Sequence, residues 1–310
     1  MSENRVQINP ELTAVALTYS NSKFIAEDVL PKVPVTSRSF RYREYDKNNH
    51  FLLPETRIGE KGIPNEVEFK GELKDASVED HALKEYLPVA EQKENEANGL
   101  KKKEKITNQL TRLLKTRKEL IVSSMLANVN SYGGNNGNVQ SLSADDKINK
   151  DTSNAVKLIQ AACDKLLYAP NVLVTSRLAM SALRMNPFIV DAVGTAAKKA
   201  GLISIEAIKE LFGLENIFVG ESVVNTAKKG QAVELRPCWE NNISLLHIDK
   251  DADTDDGVTF GFEGVYEDIQ VGEYHDSDRG IKGCDVIKAF YSSKYLHICS
   301  DCGYLIKDVI

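Results

Sequence analysis

The side chains able to bind a metal or move a proton gather in a few short stretches. "HICSDC" offers His297, Cys299 and Cys302, with Cys284 upstream. A CxxC beside a histidine can supply tetrahedral zinc ligands, but a structural site normally adds a second closely spaced pair, and the sequence has none. The segment also alternates as a strand through Tyr295, His297 and Cys299, which leaves Cys302 in a turn. Packing of small residues is the better reading. A redox role is disfavoured because no helix N-terminus follows the pair to hold a thiolate.

"DKDADTDDGVTFGFE" looks like a calcium loop until it is counted. Starting from Asp251, positions three and five are Asp253 and Asp255. Position six is then Asp256, where the turn needs glycine, and position twelve is Phe262, where a bidentate glutamate belongs. A solvated acidic loop accounts for it better. "GEYHDSDRG" gathers Glu273, His275, Asp276 and Asp278, which suits acid–base chemistry in type but equally suits a polar turn. Neither "GTAAKKAG" (194–201) nor "GGNNGN" (133–138) has the order or the strand–loop–helix setting of a phosphate loop, and no G-x-S-x-G elbow occurs. Lys101–Lys103, Lys105, Arg112, Lys115, Arg117 and Lys118 form a basic run that reads as a solvated helix face. The sequence thus nominates no catalytic, cofactor-binding or metal residue and implies no cofactor.

What remains is the set of elements that would have positioned such residues. The net charge of −6 argues against a protein that grips nucleic acid through a basic face. No apolar run approaches the roughly 18–20 residues needed to span a bilayer. Five cysteines, an odd number in a long chain, suggest reduced thiols and manufacture in a cytoplasm.

Residues 1–37 read as an arm: a few apolar anchors (Val15, Leu17, Phe24, Ile25, Leu30), then "LPKVPV" held extended by Pro31 and Pro34. It is too poor in apolar surface to fold alone and is expected to lie on something else. Residues 38–89 alternate around two polar tips, the pattern of long antiparallel strands in a hairpin ribbon. A two-stranded ribbon is marginal in water, so a partner should cover it. From about 91 to 130 the chain turns helical, with Ile106, Leu110, Leu113/Leu114, Leu120/Ile121 and Met125 on one stripe. About 33 residues would make a helix about 50 Å long. A mixed α/β region follows: a helix capped by Asp151/Thr152, the strand Val172-Leu173-Val174 with Thr175/Ser176 opening a helix, and a helix from about Ser204 stopped by Gly213 before the strand "NIFVG". The tail from Val258 to Ile310 is rich in strands. An arm, a ribbon and an overlong one-sided helix, each wanting a neighbour, describe a chain built to assemble.

This order of elements resembles the major capsid proteins of tailed bacteriophages, whose α+β Hong Kong 97-type capsid fold is shared with encapsulin shells. "PNVLVTSRLAMSALRMNP" looks like the strand and helix that open their axial domain, "LFGLENIFVGESVV" is similar to the next helix–strand unit, and "GCDVIKAFYSSKYLHICSDCGYLIKDVI" resembles the strands that return to the peripheral domain. The resemblance implies an N-terminal arm (1–37), an extended β-hairpin loop (38–89), a peripheral domain with its long spine helix (90–167), a mixed α/β axial domain (168–264) and peripheral return strands (265–310). It implies hexamers and pentamers of this chain tiling an icosahedral virion capsid, assembled in the bacterial host cytoplasm. The partners it implies are other copies of the chain, a separate scaffolding protein, a portal, and double-stranded DNA enclosed without sequence-specific binding, with no membrane. Because the chain starts close to the arm, a fused scaffolding segment is not expected. Phe40, Tyr42 and Phe69 on the ribbon are the expected inter-subunit contacts, where a charge should block assembly and leave the monomer folded. An encapsulin-like compartment and a cytosolic α/β enzyme stay open as alternatives.

Overall fold

The computed structural model describes residues 6–44, 53, 55–58, 62–63, 72–98, 101–134, 137–194, 202–228, 230–255 and 257–310. The chain begins with β1 (Gln7–Ile8), α1 (Pro10–Thr18), α2 (Ala26–Val29) and β2 (Lys32–Pro34). β3 (Ser39–Glu44) and β4 (Glu72–Ser77) pair antiparallel as the base of the ribbon. β5 (Glu79–Pro88), α3 (Val89–Ala97) and α4 (Lys102–Ala127) follow. The α/β region comprises β6 (Val139–Ser141), α5 (Ala155–Lys165), β7 (Val172–Ser176), α6 (Arg177–Met185), α7 (Pro187–Val193), α8 (Ile205–Phe212), β8 (Asn216–Gly220), β9 (Val223–Asn225), β10 (Leu235–Pro237) and β11 (Ile243–Leu246). β12 (Gly261–Asp276), β13 (Cys284–His297) and β14 (Gly303–Lys307) close the chain.

Two five-stranded sheets organise these elements. In the first, β12 and β13 pair antiparallel along their length, β5 joins the far side of β13, and β1 and β2 both lie on the outer edge of β12. α4 and α1 cover one face, burying Leu12, Ala16, Ile106, Leu110 and Leu114 against Val271, Ile287 and Tyr291. The second sheet runs β6-β14-β11-β7-β8 and mixes parallel with antiparallel pairs. Its side chains alternate as the pleat requires. Leu173, Ile243, Leu245, Tyr304 and Ile306 face a core with α5–α8, while Val172, Val174, Leu246 and Leu305 face the end of α4, the arm and Trp239. The second core therefore joins both sheets.

Local signals place the short elements. Ser176 accepts from Ala179 N and starts α6; Ser204 starts α8, and Gly213, at φ 64°, stops it. Asn9 caps α1 through Glu11 N and Leu12 N, with Pro10 at the first turn. α5 is capped by Asn154 and not by Asp151 or Thr152.

Four expectations change. The long helix is two: α3 stops at Ala97 and the 26-residue α4 begins at Lys102, the chain leaving the helix at Asn98, a poor helix former. Residues 6–35 of the arm do not wait for a sister copy but lie on their own body. Backbone hydrogen bonds from Asn9 N to Val271 O (2.9 Å) and from Val35 N to Val265 O (2.9 Å) fasten the arm to β12, and Leu12, Ala16, Ile25, Ala26, Val29 and Leu30 are buried. The physical reason is the exposed edge of β12: its unpaired backbone groups and the groove beside α4 are the nearest partners the arm can meet. β5, read from sequence as part of the ribbon, pairs with β13 over ten residues. β14, read as returning to the peripheral sheet, instead inserts between β6 and β11.

Candidate functional site

The residues nominated from sequence are scattered. Cys284 opens β13 and its thiol donates to Arg279 O at 3.3 Å, whereas His297 closes the same 14-residue strand, so the two lie roughly 40 Å apart. Cys299 and Cys302 are buried in the core shared by both sheets, and the His297 ring stands edge-on to Phe260 at 5.0 Å. In the acidic loop Asp251 N donates to Asp249 Oδ1 and Asp255 N to Asp253 Oδ1, so these carboxylates turn to backbone and not to a common centre. Among the described residues no group of three His, Cys, Asp or Glu side chains is placed to hold a metal ion, and no helix is long and apolar enough to cross a membrane. Residues 195–201 of "GTAAKKAG", residues 135–136 of the glycine loop and Asp256 lie outside the described residues.

Glu273 and His275 do come together with other charges, but as a fastening. Lys103 of α4 reaches Glu273 Oε2 (2.9 Å) and Asp285 Oδ2 (3.1 Å), His275 Nδ1 lies 2.9 Å from Asp285 Oδ1, and the arm's Asn9 donates to Glu273 Oε1 at 2.9 Å. Burial alone would raise the Asp285 carboxyl; its hydrogen bonds with His275 and Lys103 outweigh that and hold it below its ordinary value.

The basic run is likewise not one solvated face. Lys101, Lys105, Arg112 and Arg117 are exposed, but Lys118 is 1% exposed and Lys115 turns inward. Lys118 Nζ lies 2.9 Å from Glu27 Oε1 of α2 and 3.1 Å from Glu263 Oε1 of β12, and 4.8 Å from the Tyr291 ring centre. Lys115 and Lys32 reach Glu27 at 3.0 and 3.8 Å. The neighbouring Glu119, also 1% exposed, accepts four hydrogen bonds. Oε1 takes the backbone N–H of Ile25 (2.7 Å) and Ala26 (2.6 Å), and Oε2 takes Ser222 Oγ (2.9 Å) and Trp239 Nε1 (2.6 Å). The Trp239 ring needs Gly220, where a Cβ would stand 2.2 Å from it. One turn of α4 thus joins arm, first sheet and second sheet.

Sequence reasoning missed Glu27, Glu119, Trp239 and Glu263. A signal was present: the i+4 row Ile106, Leu110, Leu114, Lys118, Val122, Leu126 runs through a lysine, so a charge sits on the buried stripe. The single tryptophan was a second one.

Burial pushes the Glu27 carboxyl up, but Lys118, Lys32 and Lys115 together overcome it and bring it down to about 2. A lowered folded value means stability present above the ordinary carboxylate pKa of 4.5 and lost as pH falls through about 2. Burial leaves Glu119 raised despite its four hydrogen bonds, which works in the opposite sense. The Glu27 contribution is therefore isolated by difference. The urea stability gap between wild type and Glu27→Gln should narrow by on the order of 2–3 kcal/mol between pH 5 and pH 2. A gap independent of pH would show that Glu27 is not held by the lysines. A cavity of about 240 Å³ lined by Tyr19, Asn21, Glu27 and Lys115 gives protons a route to it.

Of the ribbon residues, Phe40 and Tyr42 are half-buried against Val33, Phe262, Leu296 and Ile298 of their own chain, the Phe40 ring lying on Gly264. Phe69 lies outside the described residues. Arg43 N donates to Thr254 O at 2.9 Å, tying the ribbon base to the acidic loop. Farther out, Leu53 and Ile63 are 87% and 90% exposed, and Ile58 is exposed too.

No family model matches the chain. The major capsid protein of Pseudomonas phage JBD67 is 35% identical over 310 residues, spanning 100% of this chain and 99% of the relative. A crystal structure of a phage-related protein from Bordetella bronchiseptica RB50 matches with a TM-score of 0.75 at 19% identity, covering 98% of both chains. The capsid structure of cyanophage P-SCSP1u gives 0.59 at 10% identity over 93% of this chain and 89% of its own. At those identities the two structures show a shared fold.

Proposed function

The chain belongs to the major capsid proteins of phages, and from that premise we propose that its copies close, as hexamers and pentamers, into an icosahedral shell around the double-stranded DNA of a tailed phage. It is a structural protein of the virion capsid with the Hong Kong 97-type fold, and it builds the shell by self-assembly. The finer reading is ours. The α/β body, sheet β6-β14-β11-β7-β8 with α5–α8, meets its copies at the symmetry axes. The body carrying α4 forms the wall between them, and the ribbon crosses onto an adjacent subunit. A separate scaffolding protein and a portal take part, assembly proceeds in the bacterial cytoplasm, and the subunit performs no catalytic step. The net charge of −6 suits a wall that encloses DNA without binding its sequence.

The observation that carries this reading is the ribbon. Leu53 and Ile63 stand 87% and 90% in solvent on a projection rooted only at β3 and β4 among the described strands. Apolar side chains so placed gain by meeting another surface. Phe40 and Tyr42 remain proposed contacts, but they also pack on their own body, so changes there mix folding with assembly. Leu53→Glu/Ile63→Glu separates the two. Its circular dichroism should match wild type and its urea stability should stay within about 0.5 kcal/mol, while the shells, tubes or hexamer rings expected of wild type in negative-stain electron microscopy should not form. A wild-type chain that stays a uniform monomer or dimer at high concentration, with its scaffolding protein present, would overturn the reading.

A further inference from the structure

We propose that Cys299 and Cys302 are an oxidation site that closes to an intrachain disulfide in the presence of a peroxide. The two cysteines bound the short turn between β13 and β14. Cys302 N donates to Cys299 O at 3.4 Å, the mark of a turn that brings residues i and i+3 together. Such turns hold the two Cα atoms within about 7 Å, and disulfides span roughly 4.4–6.8 Å. Both side chains point into the same core, 3% and 0% exposed, and both are thiols in the structure.

The surroundings divide the labour between them. The Cys302 thiol beside it shifts the Cys299 thiol down, and the same pairing together with burial pushes Cys302 up, so Cys302 keeps its proton. Cys284 lies at the other end of β13, Cys163 is on α5, and Cys238 bonds Ser222 beside Trp239.

The chemistry balances with hydrogen peroxide, a neutral molecule little larger than water. The Cys299 thiolate attacks one oxygen, the O–O bond breaks, and hydroxide leaves, giving a sulfenic acid. Cys302 gives its proton to that hydroxide, and its sulfur attacks the Cys299 sulfur. The S–S bond forms and the sulfenic hydroxyl departs, to be protonated to water by the proton first lost from Cys299. Two thiols lose two electrons and the peroxide becomes two waters. The product pins the turn that passes the chain from the first sheet to the second.

Trypsin releases both cysteines, and no others, in the peptide from Tyr295 to Lys307. Full-length protein is treated with hydrogen peroxide, denatured, alkylated with iodoacetamide, digested and weighed. The proposal expects this peptide to escape alkylation, to be lighter by two hydrogens than its dithiol form, and to regain both alkylation sites after dithiothreitol. Peptides carrying Cys163, Cys238 and Cys284 should be alkylated throughout. In Cys302→Ser, Cys299 should stop at a sulfenic acid that reacts with dimedone. Full alkylation after peroxide, conversion to sulfinic or sulfonic acid, or a bridge to any other cysteine would overturn it. If the serine variant does not fold, the wild-type peptide still decides.

Discussion

Replacing Glu119 by alanine is expected to lower the stability of the folded subunit by roughly 3–5 kcal/mol. The carboxylate is the shared acceptor for two backbone N–H groups of the arm, the Ser222 hydroxyl and the Trp239 indole, all within 2.9 Å. Each buried donor left without a partner costs about 1–3 kcal/mol. The sum is reduced because the adjoining cavity can admit water to the arm side. Glu119→Gln tests the charge and the geometry apart. Its one oxygen can serve either the arm pair or the Ser222–Trp239 pair, while its amide must face two donors, so about half the loss is expected. Urea unfolding reads both values. Hydrogen exchange at Ile25 and Ala26 should quicken in the alanine variant before the rest of the chain responds. A loss below about 1 kcal/mol would mean the arm and Trp239 are held by packing alone.

Lys118→Met is the companion case. Methionine keeps most of the stem and removes the ammonium, leaving Glu27 and Glu263 facing each other under cover. Glu27 retains Lys115 and Lys32, but among the described residues Lys118 is the cation paired with Glu263, which is itself fully buried. Breaking a buried pair from one side costs about 3–5 kcal/mol, because the surviving charge is stranded. Lys118→Met/Glu263→Gln should recover most of that, giving a coupling energy of about 2 kcal/mol or more in the double-mutant cycle. Strictly additive losses would show that the two side chains do not depend on each other.

These two residues also mark where the sequence stopped being readable. Val172-Leu173-Val174 followed by Ser176, or Ser204 and Gly213 around a helix, declare themselves because period and cap lie within a dozen residues. The order of elements was legible for the same reason, and with it the resemblance to a capsid fold. Lys118 and Glu119 looked like part of a solvated basic run because their partners stand 91 and more positions away in sequence, at Glu27, Ser222, Trp239 and Glu263. The arm was misplaced on similar grounds. Its few apolar residues predict that it needs a surface, but not that the edge of β12, more than 230 residues later, provides one. Phe40 and Tyr42 were chosen for their alternation, which cannot tell an outer face from one resting on Phe262.

Consecutive residues on a helix project about 100° apart around its axis. Lys118 and Glu119 are consecutive, and each is anchored in a different direction. A shaft pinned by two bearings at such an angle can flex along its length but cannot spin, so torque entering at one end of α4 passes into the arm and the two sheets at that turn and does not reach the other end.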